Sequence, residues 1–173
     1  GVGKTTLLKQ IYNKLLLDLQ NTFGVVIWVS VSKDLRLEKI QEQIGIKIGL
    51  FDKAWKKKSL KDKASDIFKI LKEKKFALLM DGLWERVDLT KVGVPLPDSK
   101  NLSKIVFTTR SLEICGLMEA DMQFKVKCLA AEEAWKLFQT LIGYETLHEG
   151  HPEVLGLVMD ISKECYGFPL ALP

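Results

Sequence analysis

Cysteine and histidine are scarce in this chain, and neither is arranged as a set of metal ligands. The 173 residues contain three cysteines, Cys115, Cys128 and Cys165, with no CxxC pair among them. An odd number of widely separated thiols predicts neither a zinc site nor a disulfide framework, so a reducing compartment such as the cytoplasm fits best. The two histidines, His148 and His151, lack a third ligand nearby, and we interpret them as loop residues.

Long apolar runs are absent as well. No stretch approaches the roughly 20 apolar residues that a membrane-spanning helix requires, and no signal-peptide pattern stands at the beginning. The net charge is +4, with 28% of residues charged and 47% apolar, which is typical of a globular protein. This charge is too small to indicate a nucleic-acid or membrane surface, and we interpret the lysine-rich segment 52–63 as solvated surface.

The apolar residues that are present follow two patterns, one helical and one typical of buried strands. Helical spacing begins near Lys4 and recurs in the segments 37–48 and 64–71. Continuous apolar runs, typical of strands buried on both faces, occupy Val25–Val31, Phe76–Asp81, Lys104–Arg110 and Gln123–Leu129. Helices that alternate with such strands predict an α/β fold, in which a parallel sheet is covered by helices.

The pattern changes near residue 130. Two amphipathic helical segments, 130–143 and 152–167, follow with no predicted strand between them. Trp135 and Phe138 lie at helical spacing in the first of them, and we expect both in a core. The sequence therefore predicts an α/β subdomain at 1–129 and the start of a small helical subdomain at 130–173.

The first residues resemble part of a phosphate-binding loop. Gly-Val-Gly-Lys-Thr-Thr matches the end of the motif G-x-x-x-x-G-K-[ST], whose glycines let backbone N–H groups approach phosphates. Lys4 would contact the outer phosphates, the hydroxyl of Thr5 would bind magnesium, and the helix N-terminus would add its dipole. On these residues alone, a glycine turn before an ordinary helix stays an alternative.

Two predicted strands end in side chains that suit the same ligand. Asp81 ends an apolar run, where its carboxylate suits magnesium, and Arg110 follows two threonines, where it suits a terminal phosphate. Ligands of open parallel sheets gather at the carboxyl ends of strands, so these residues together favour nucleotide binding over a turn aspartate and a surface arginine. The strand order resembles P-loop ATPases with a strand added between the Walker A and Walker B strands. Those enzymes commonly carry a water-activating acid where Gly82 stands, so we predict slow or impaired ATP hydrolysis.

Six segments spread along the chain carry a more specific pattern. They are GVGKTTLLKQIYNKL, FGVVIWVSVSKD, KKFALLMDGLWE, SKIVFTTRS, CLAAEEAWKLF and CYGFPLAL. Their order and spacing resemble the NB-ARC domain, the nucleotide switch of plant intracellular disease-resistance receptors, over essentially the whole chain. Trp84 resembles the coiled-coil class of these receptors.

The resemblance implies roles for single residues. The residues that match its phosphate loop are Gly1, Gly3, Lys4, Thr5 and Thr6. Asp81 matches the magnesium aspartate, and Arg110 matches the phosphate-sensing arginine. Pro169 matches the proline that packs against adenine, although Phe168 stands where the family usually has leucine. The resemblance thus implies ADP or ATP with Mg²⁺, bound by a P-loop NTPase sheet in 1–129.

The resemblance also implies neighbours in the chain. In this family the domain lies between an N-terminal coiled-coil domain and C-terminal leucine-rich repeats, and activation involves homo-oligomers. The first strand, central in the sheet order 5-1-4-3-2, is expected before residue 1, and further helical subdomains after residue 173, as in a stretch copied between two motif-directed primers. Two alternatives stay open: an active signal-transducing ATPase regulator that binds nucleic acid, and a nucleotide-independent interaction module.

Overall fold

The computed structural model describes residues 1–17, 22–50, 52–97, 101–142 and 152–171. The chain groups into two compact units. The larger comprises Leu7–Gln123, and the smaller combines Gly1–Thr6 with Phe124–Pro173. The subdomain boundary expected between residues 129 and 130 remains a prediction, and His148 and His151 lie outside the described residues.

A parallel sheet forms the centre of the larger unit. Its described strands are β1 (Val25–Ser30), β2 (Phe76–Leu83) and β3 (Lys104–Thr109), in the order β1-β2-β3. Both pairings are parallel, and Ser30 lies opposite Asp81 in the first of them. The predicted α/β fold with a parallel sheet is therefore confirmed, and this order equals the 2-3-4 part of the sheet that the resemblance implies.

The helices follow the predicted spacing, with additions. Within the described ranges they are α1 (Lys4–Leu17), α2 (Leu37–Ile48), α3 (Lys53–Lys56), α4 (Leu60–Leu71), α5 (Leu89–Val92), α6 (Leu112–Leu117), α7 (Ala131–Ile142) and α8 (Pro152–Glu164). α2 ends where predicted because Gly49 adopts the left-handed conformation, with φ 89°. α4 begins earlier than the predicted Ala64, since the Ser59 hydroxyl accepts a hydrogen bond of 3.2 Å from the Asp62 N–H and caps the helix.

Both faces of the sheet are buried. Successive side chains of β2 alternate between two apolar clusters, as a strand requires. Leu78 and Met80 pack in one cluster with residues of α2 and α4, among them Ile44. Ala77 and Leu79 pack in the other cluster with Leu8 of α1 and its neighbours. Burial on both faces explains why the strands read as continuous apolar runs.

The prediction of a strand at Gln123–Leu129 was wrong. These residues adopt no strand conformation, and the side chain of Phe124 is 80% exposed. A strand requires a neighbour that pairs with its backbone, and the described residues contain no strand beside the outer edge of β3. The N–H of Leu129 instead donates a 2.8 Å hydrogen bond to the carbonyl of Gly167.

The smaller unit has a core of its own around α7. Ala134, Phe138 and Cys165 are buried there, and Trp135 stacks on Phe138 with ring centroids 6.0 Å apart. The predicted core position of Phe138 is confirmed, whereas Trp135 is half-buried beside it. None of the helices in the described ranges has the length and hydrophobicity needed to cross a membrane.

Candidate nucleotide site

The phosphate-loop residues form a tight turn that leads directly into α1. Gly3 has φ +91°, a conformation that glycine adopts without the steric cost of a Cβ. α1 begins at the next residue, Lys4, and its first turn contains no acidic side chain. The first N–H groups of a helix lack partners within the helix, so the turn presents backbone donors together with Lys4, Thr5 and Thr6. Donors, a helix dipole and a lysine at one point suit an anion.

Pro169 lies beside this turn, within the smaller unit. It begins a short 3₁₀ helix, Pro169–Ala171. A Cβ built on Gly3 would lie 4.0 Å from Cγ of Pro169, and the N–H of Leu170 donates a 3.3 Å hydrogen bond to the carbonyl of Gly1. The phosphate loop and the GFPLAL segment, which are the first and the last motif along the chain, are therefore neighbours in the structure.

Gly167 allows the GFPLAL segment to pack tightly. Its φ is +70°, and a Cβ at this position would collide with the backbone carbonyl of Leu129. After this turn, the Phe168 N–H donates a 2.8 Å hydrogen bond to the carbonyl of Cys165. These contacts fix the approach of the chain to Pro169, while Phe168 in the family's leucine position is 41% exposed.

Near the end of β2, Asp81 is held by a threonine from the neighbouring strand. The hydroxyl of Thr108 donates a 2.7 Å hydrogen bond to Oδ1 of Asp81 and accepts a 2.8 Å hydrogen bond from the N–H of Gly82. One hydroxyl therefore links the carboxylate of β2 to β3. This link fixes the orientation of the Asp81 carboxylate, as hydrogen bonds to metal-binding carboxylates commonly do.

Gly82 introduces an irregularity into β2. Its φ is +83°, and the β2–β3 register shifts between Met80 and Leu83, which pairs with Thr109. Such bulges commonly redirect a strand next to a functional site. Gly82 therefore has a conformational role that the sequence did not reveal, besides being the position that lacks a second acid.

Arg110 lies beyond the end of β3 and contacts an aromatic ring. Its Cζ is 5.0 Å from the centroid of Trp84, and Nζ of Lys33 is 4.7 Å from the centroid of the same ring. Both distances fall within the range of cation–π interactions. Two cationic side chains thus share one tryptophan next to the end of β2.

The predicted ligands fit magnesium that binds together with phosphates. Asp81 and Thr5 supply oxygen atoms, which Mg²⁺ prefers, and this ion commonly uses one or two carboxylates plus the phosphates of a substrate. Across the described ranges, no group of three or more His, Cys, Asp or Glu side chains is placed to hold a metal by itself. By its own chemistry, each of these residues suits Mg²⁺ only together with further oxygen ligands such as phosphates.

One groove in the larger unit belongs to a different surface. It has a volume of about 490 Å³ and lies between α4 and α5, lined by residues that include Phe68, Gly93 and Leu96. None of the predicted site residues lines it.

The structure thus brings the predicted residues together in two groups. In the smaller unit, Gly1 and Gly3 lie beside Pro169. In the larger unit, Asp81 lies two residues before the end of β2, which continues past the predicted end at Asp81 to Leu83, and Arg110 is the first residue after the adjacent β3. Sequence reasoning missed three features of the site: Thr108, Lys33 and the contact of Trp84 with Arg110. Thr108 was detectable, because residues two apart on a strand share a face and Thr108 precedes Arg110 by two. No pattern in the sequence indicated Lys33.

A parallel sheet covered by helices is consistent with the fold of P-loop NTPases, and a phosphate-loop sequence leading into α1 is typical of them. The NB-ARC domain family matches residues 1–148, and the chain belongs to this family. The family resemblance of the sequence segments is thereby confirmed.

Its relatives in Arabidopsis thaliana are named as disease resistance proteins. "Probable disease resistance protein At1g52660" is 49% identical over 172 residues, which are 99% of this chain and 46% of the relative. "Disease resistance protein UNI" is 45% identical over 172 residues, again 99% of this chain but 19% of the relative. The chain therefore spans less than half the length of either protein.

Proposed function

We propose that this chain is the nucleotide-binding part of an ADP/ATP-operated switch in a plant immune receptor that acts in the cytoplasm. The NB-ARC match and the names of the disease resistance relatives support the receptor class. The proposed exchange of ADP for ATP follows the resemblance of the sequence motifs to that family. Defence signalling by the whole receptor is part of the same proposal.

One observation carries the nucleotide proposal: the phosphate-loop turn and Pro169 are neighbours in one compact unit. The turn offers N–H donors and Lys4, which suit phosphate, while the proline ring offers an apolar surface, which suits a purine. A single adenine nucleotide contains both kinds of group. Neighbouring sites for both favour such a ligand over an isolated phosphate.

We assign the contacts by chemistry. The residues proposed to contact phosphate are Gly1, Gly3, Lys4, Thr5, Thr6 and Arg110. Pro169 packs against adenine, and Thr5 and Asp81 hold Mg²⁺. In this proposal the hydrogen bond from Thr108 keeps Asp81 oriented toward the ion.

The proposal includes partners beyond the nucleotide. A coiled-coil domain and leucine-rich repeats of the same receptor flank this domain, and activation proceeds with homo-oligomerisation. Nucleic acid is not part of the proposed function, since the net charge of +4 gives little electrostatic attraction for a polyanion.

The test is a titration of the full-length protein with MgADP and MgATP by calorimetry. Lys4→Ala is expected to remove most of the affinity for both, because the ammonium group contacts the phosphates directly. Lys9→Ala is the matched control, since Lys9 is an exposed lysine of the same helix with no proposed phosphate contact. Equal affinities of Lys4→Ala and wild type would refute the proposed site. A wild-type receptor that binds neither nucleotide would support the interaction-module alternative.

A further inference from the structure

We propose that Trp84 is a positioning residue that holds the guanidinium of Arg110 ready for the terminal phosphate of ATP. The inference rests on the proposed function, because it assigns Arg110 a phosphate contact. It adds a residue whose contact with Arg110 is visible in the structure and whose loss should affect ATP more than ADP.

The backbone explains how Trp84 reaches Arg110. After the register shift at Gly82, Leu83 pairs with Thr109, so the next residues of the two strands, Trp84 and Arg110, lie side by side. The +83° φ of Gly82 makes this shift possible. In a regular ladder without the shift, Trp84 would be opposite a residue further along the chain.

The ring suits this task because it leaves the donors of Arg110 available. A guanidinium that stacks on an aromatic ring is attracted through its face, while its N–H groups point outward in its own plane. A carboxylate partner would instead occupy those donors and compete with phosphate. Of the ion pairs found in the described segments, none involves Arg110.

Arg110 is a side chain that benefits from such support. It is exposed, and it lies one residue beyond the end of β3. A free arginine loses considerable rotamer entropy when it binds a ligand, and preorganisation reduces that cost. The side chain of Trp84 is itself 43% exposed, so filling the core does not explain the presence of a large ring at this position.

Lys33 strengthens the case that this ring faces an anion. Its ammonium lies 4.7 Å from the centroid of the ring that also contacts Arg110. Two positive side chains at one ring repel each other, and an anionic group bound between them would relieve that repulsion. The arrangement thus favours a phosphate close to Trp84.

The experiment compares MgADP with magnesium and a non-hydrolysable ATP analogue on the full-length protein, by calorimetry. Trp84→Leu is expected to weaken the ATP analogue about two- to fivefold, the range of an exposed cation–π contact, and to leave ADP affinity unchanged. Trp84→Phe should retain most of the ATP affinity, because phenylalanine also presents a π face. In an Arg110→Ala background, Trp84→Leu should have no further effect.

Controls separate this role from general stability. Phe68→Leu removes another half-exposed aromatic ring, 46% exposed on α4, and should change neither affinity. Should Trp84→Leu lower the melting temperature, Trp84→Gln replaces it as the variant without a ring.

The outcomes distinguish this inference from the proposed function. If wild type binds both nucleotides and Trp84→Leu keeps the wild-type ratio of ATP to ADP affinity, the positioning role is wrong and the switch stands. Additive effects of Trp84→Leu and Arg110→Ala would also overturn the role. A wild type that binds neither nucleotide would overturn both ideas.

Discussion

At the scale of single residues, Gly82 shows what a sequence can and cannot reveal. Its identity indicated a missing acid, but its +83° φ and the register shift it permits became visible only in the structure. The position of Thr108 was detectable from the sequence, but its hydrogen bond to Asp81 of the neighbouring strand became visible only in the structure. Residue types reveal chemistry, whereas the contacts that orient them depend on tertiary pairing.

We predict that Gly82→Asp increases ATP hydrolysis. Gly82 stands where the family resemblance implies a second acid, and a carboxylate that orients or deprotonates water contributes about 10²–10⁴-fold in rate. A Cβ at Gly82 would have room, since the carbonyl of Val31 is 3.5 Å away, but the left-handed backbone would cost roughly 1–2 kcal/mol. We therefore expect a gain of at least about tenfold rather than the full range. Single-turnover hydrolysis at saturating magnesium, in the full-length protein, measures it.

Gly82→Asn is the matched control for this experiment. Asparagine has the same size as aspartate and similar tolerance of the left-handed conformation, but it lacks the carboxylate. The rate should rise in Gly82→Asp alone, with ADP affinity little changed. If the two variants hydrolyse ATP equally fast, the missing acid does not explain slow turnover.

At the scale of elements, patterns succeeded where an element depends on its own residues. α2 was predicted to its last residue, because apolar spacing and a terminal glycine define a helix locally. The prediction of a strand at Gln123–Leu129 was wrong because a strand depends on a neighbouring strand that pairs with it. The lysine-rich segment 52–63 is mostly exposed as expected, yet Lys63 is buried, with its ammonium 5.4 Å from the Trp55 ring centroid. The spacing of residues in this segment did not indicate that Lys63 would be buried against Trp55.

Helix α2 offers a test of whether side-chain packing or intrinsic helix propensity decides the stability of a helix at Gly45. Alanine in place of a mid-helix glycine normally stabilises a helix by roughly 1 kcal/mol. At Gly45, however, a Cβ would lie 2.5 Å from Cη2 of Trp55 and 2.7 Å from the carbonyl oxygen of Leu50. Overpacking typically costs about 1–3 kcal/mol, so Gly45→Ala is expected to destabilise α2. Amide hydrogen exchange should become faster in α2 and around Trp55.

Gly156→Ala in α8 is the comparison for this prediction. A Cβ at Gly156 would have no heavy atom within 4 Å, so only the propensity term acts. Exchange in α8 should therefore become slower. Slower exchange in both helices would mean that Trp55 moves aside at little cost and that propensity dominates at Gly45.

At the scale of the whole molecule, the presence of a parallel sheet was predictable from the sequence patterns, but the order of its strands was not. Apolar runs and their alternation with helices predict a parallel sheet, and the structure confirms it. The position of each strand in the sheet came from the family resemblance, since composition and period carry no information on strand order. In the described residues β3 pairs with β2 on one edge, and no strand pairs with its other edge.

We predict that residues 1–173 expressed alone are insoluble or molten. An unpaired strand edge in the middle of a sheet presents free N–H and C=O groups that pair with other chains. The family resemblance implies a strand before the phosphate loop that pairs with β3 on this edge. A version extended upstream by that strand should be soluble and monomeric, as measured by centrifugation and size-exclusion chromatography.

An extension of equal length and composition but scrambled order is the control for this last prediction. It adds the same charge and the same number of residues, but it lacks the alternation and register that pair with β3. Solubility should therefore return only with the native order, and with it a cooperative thermal transition. A sharp cooperative melt of residues 1–173 alone would show that the β3 edge is protected without any added strand, and rescue by the scrambled extension would show that strand pairing is not the cause.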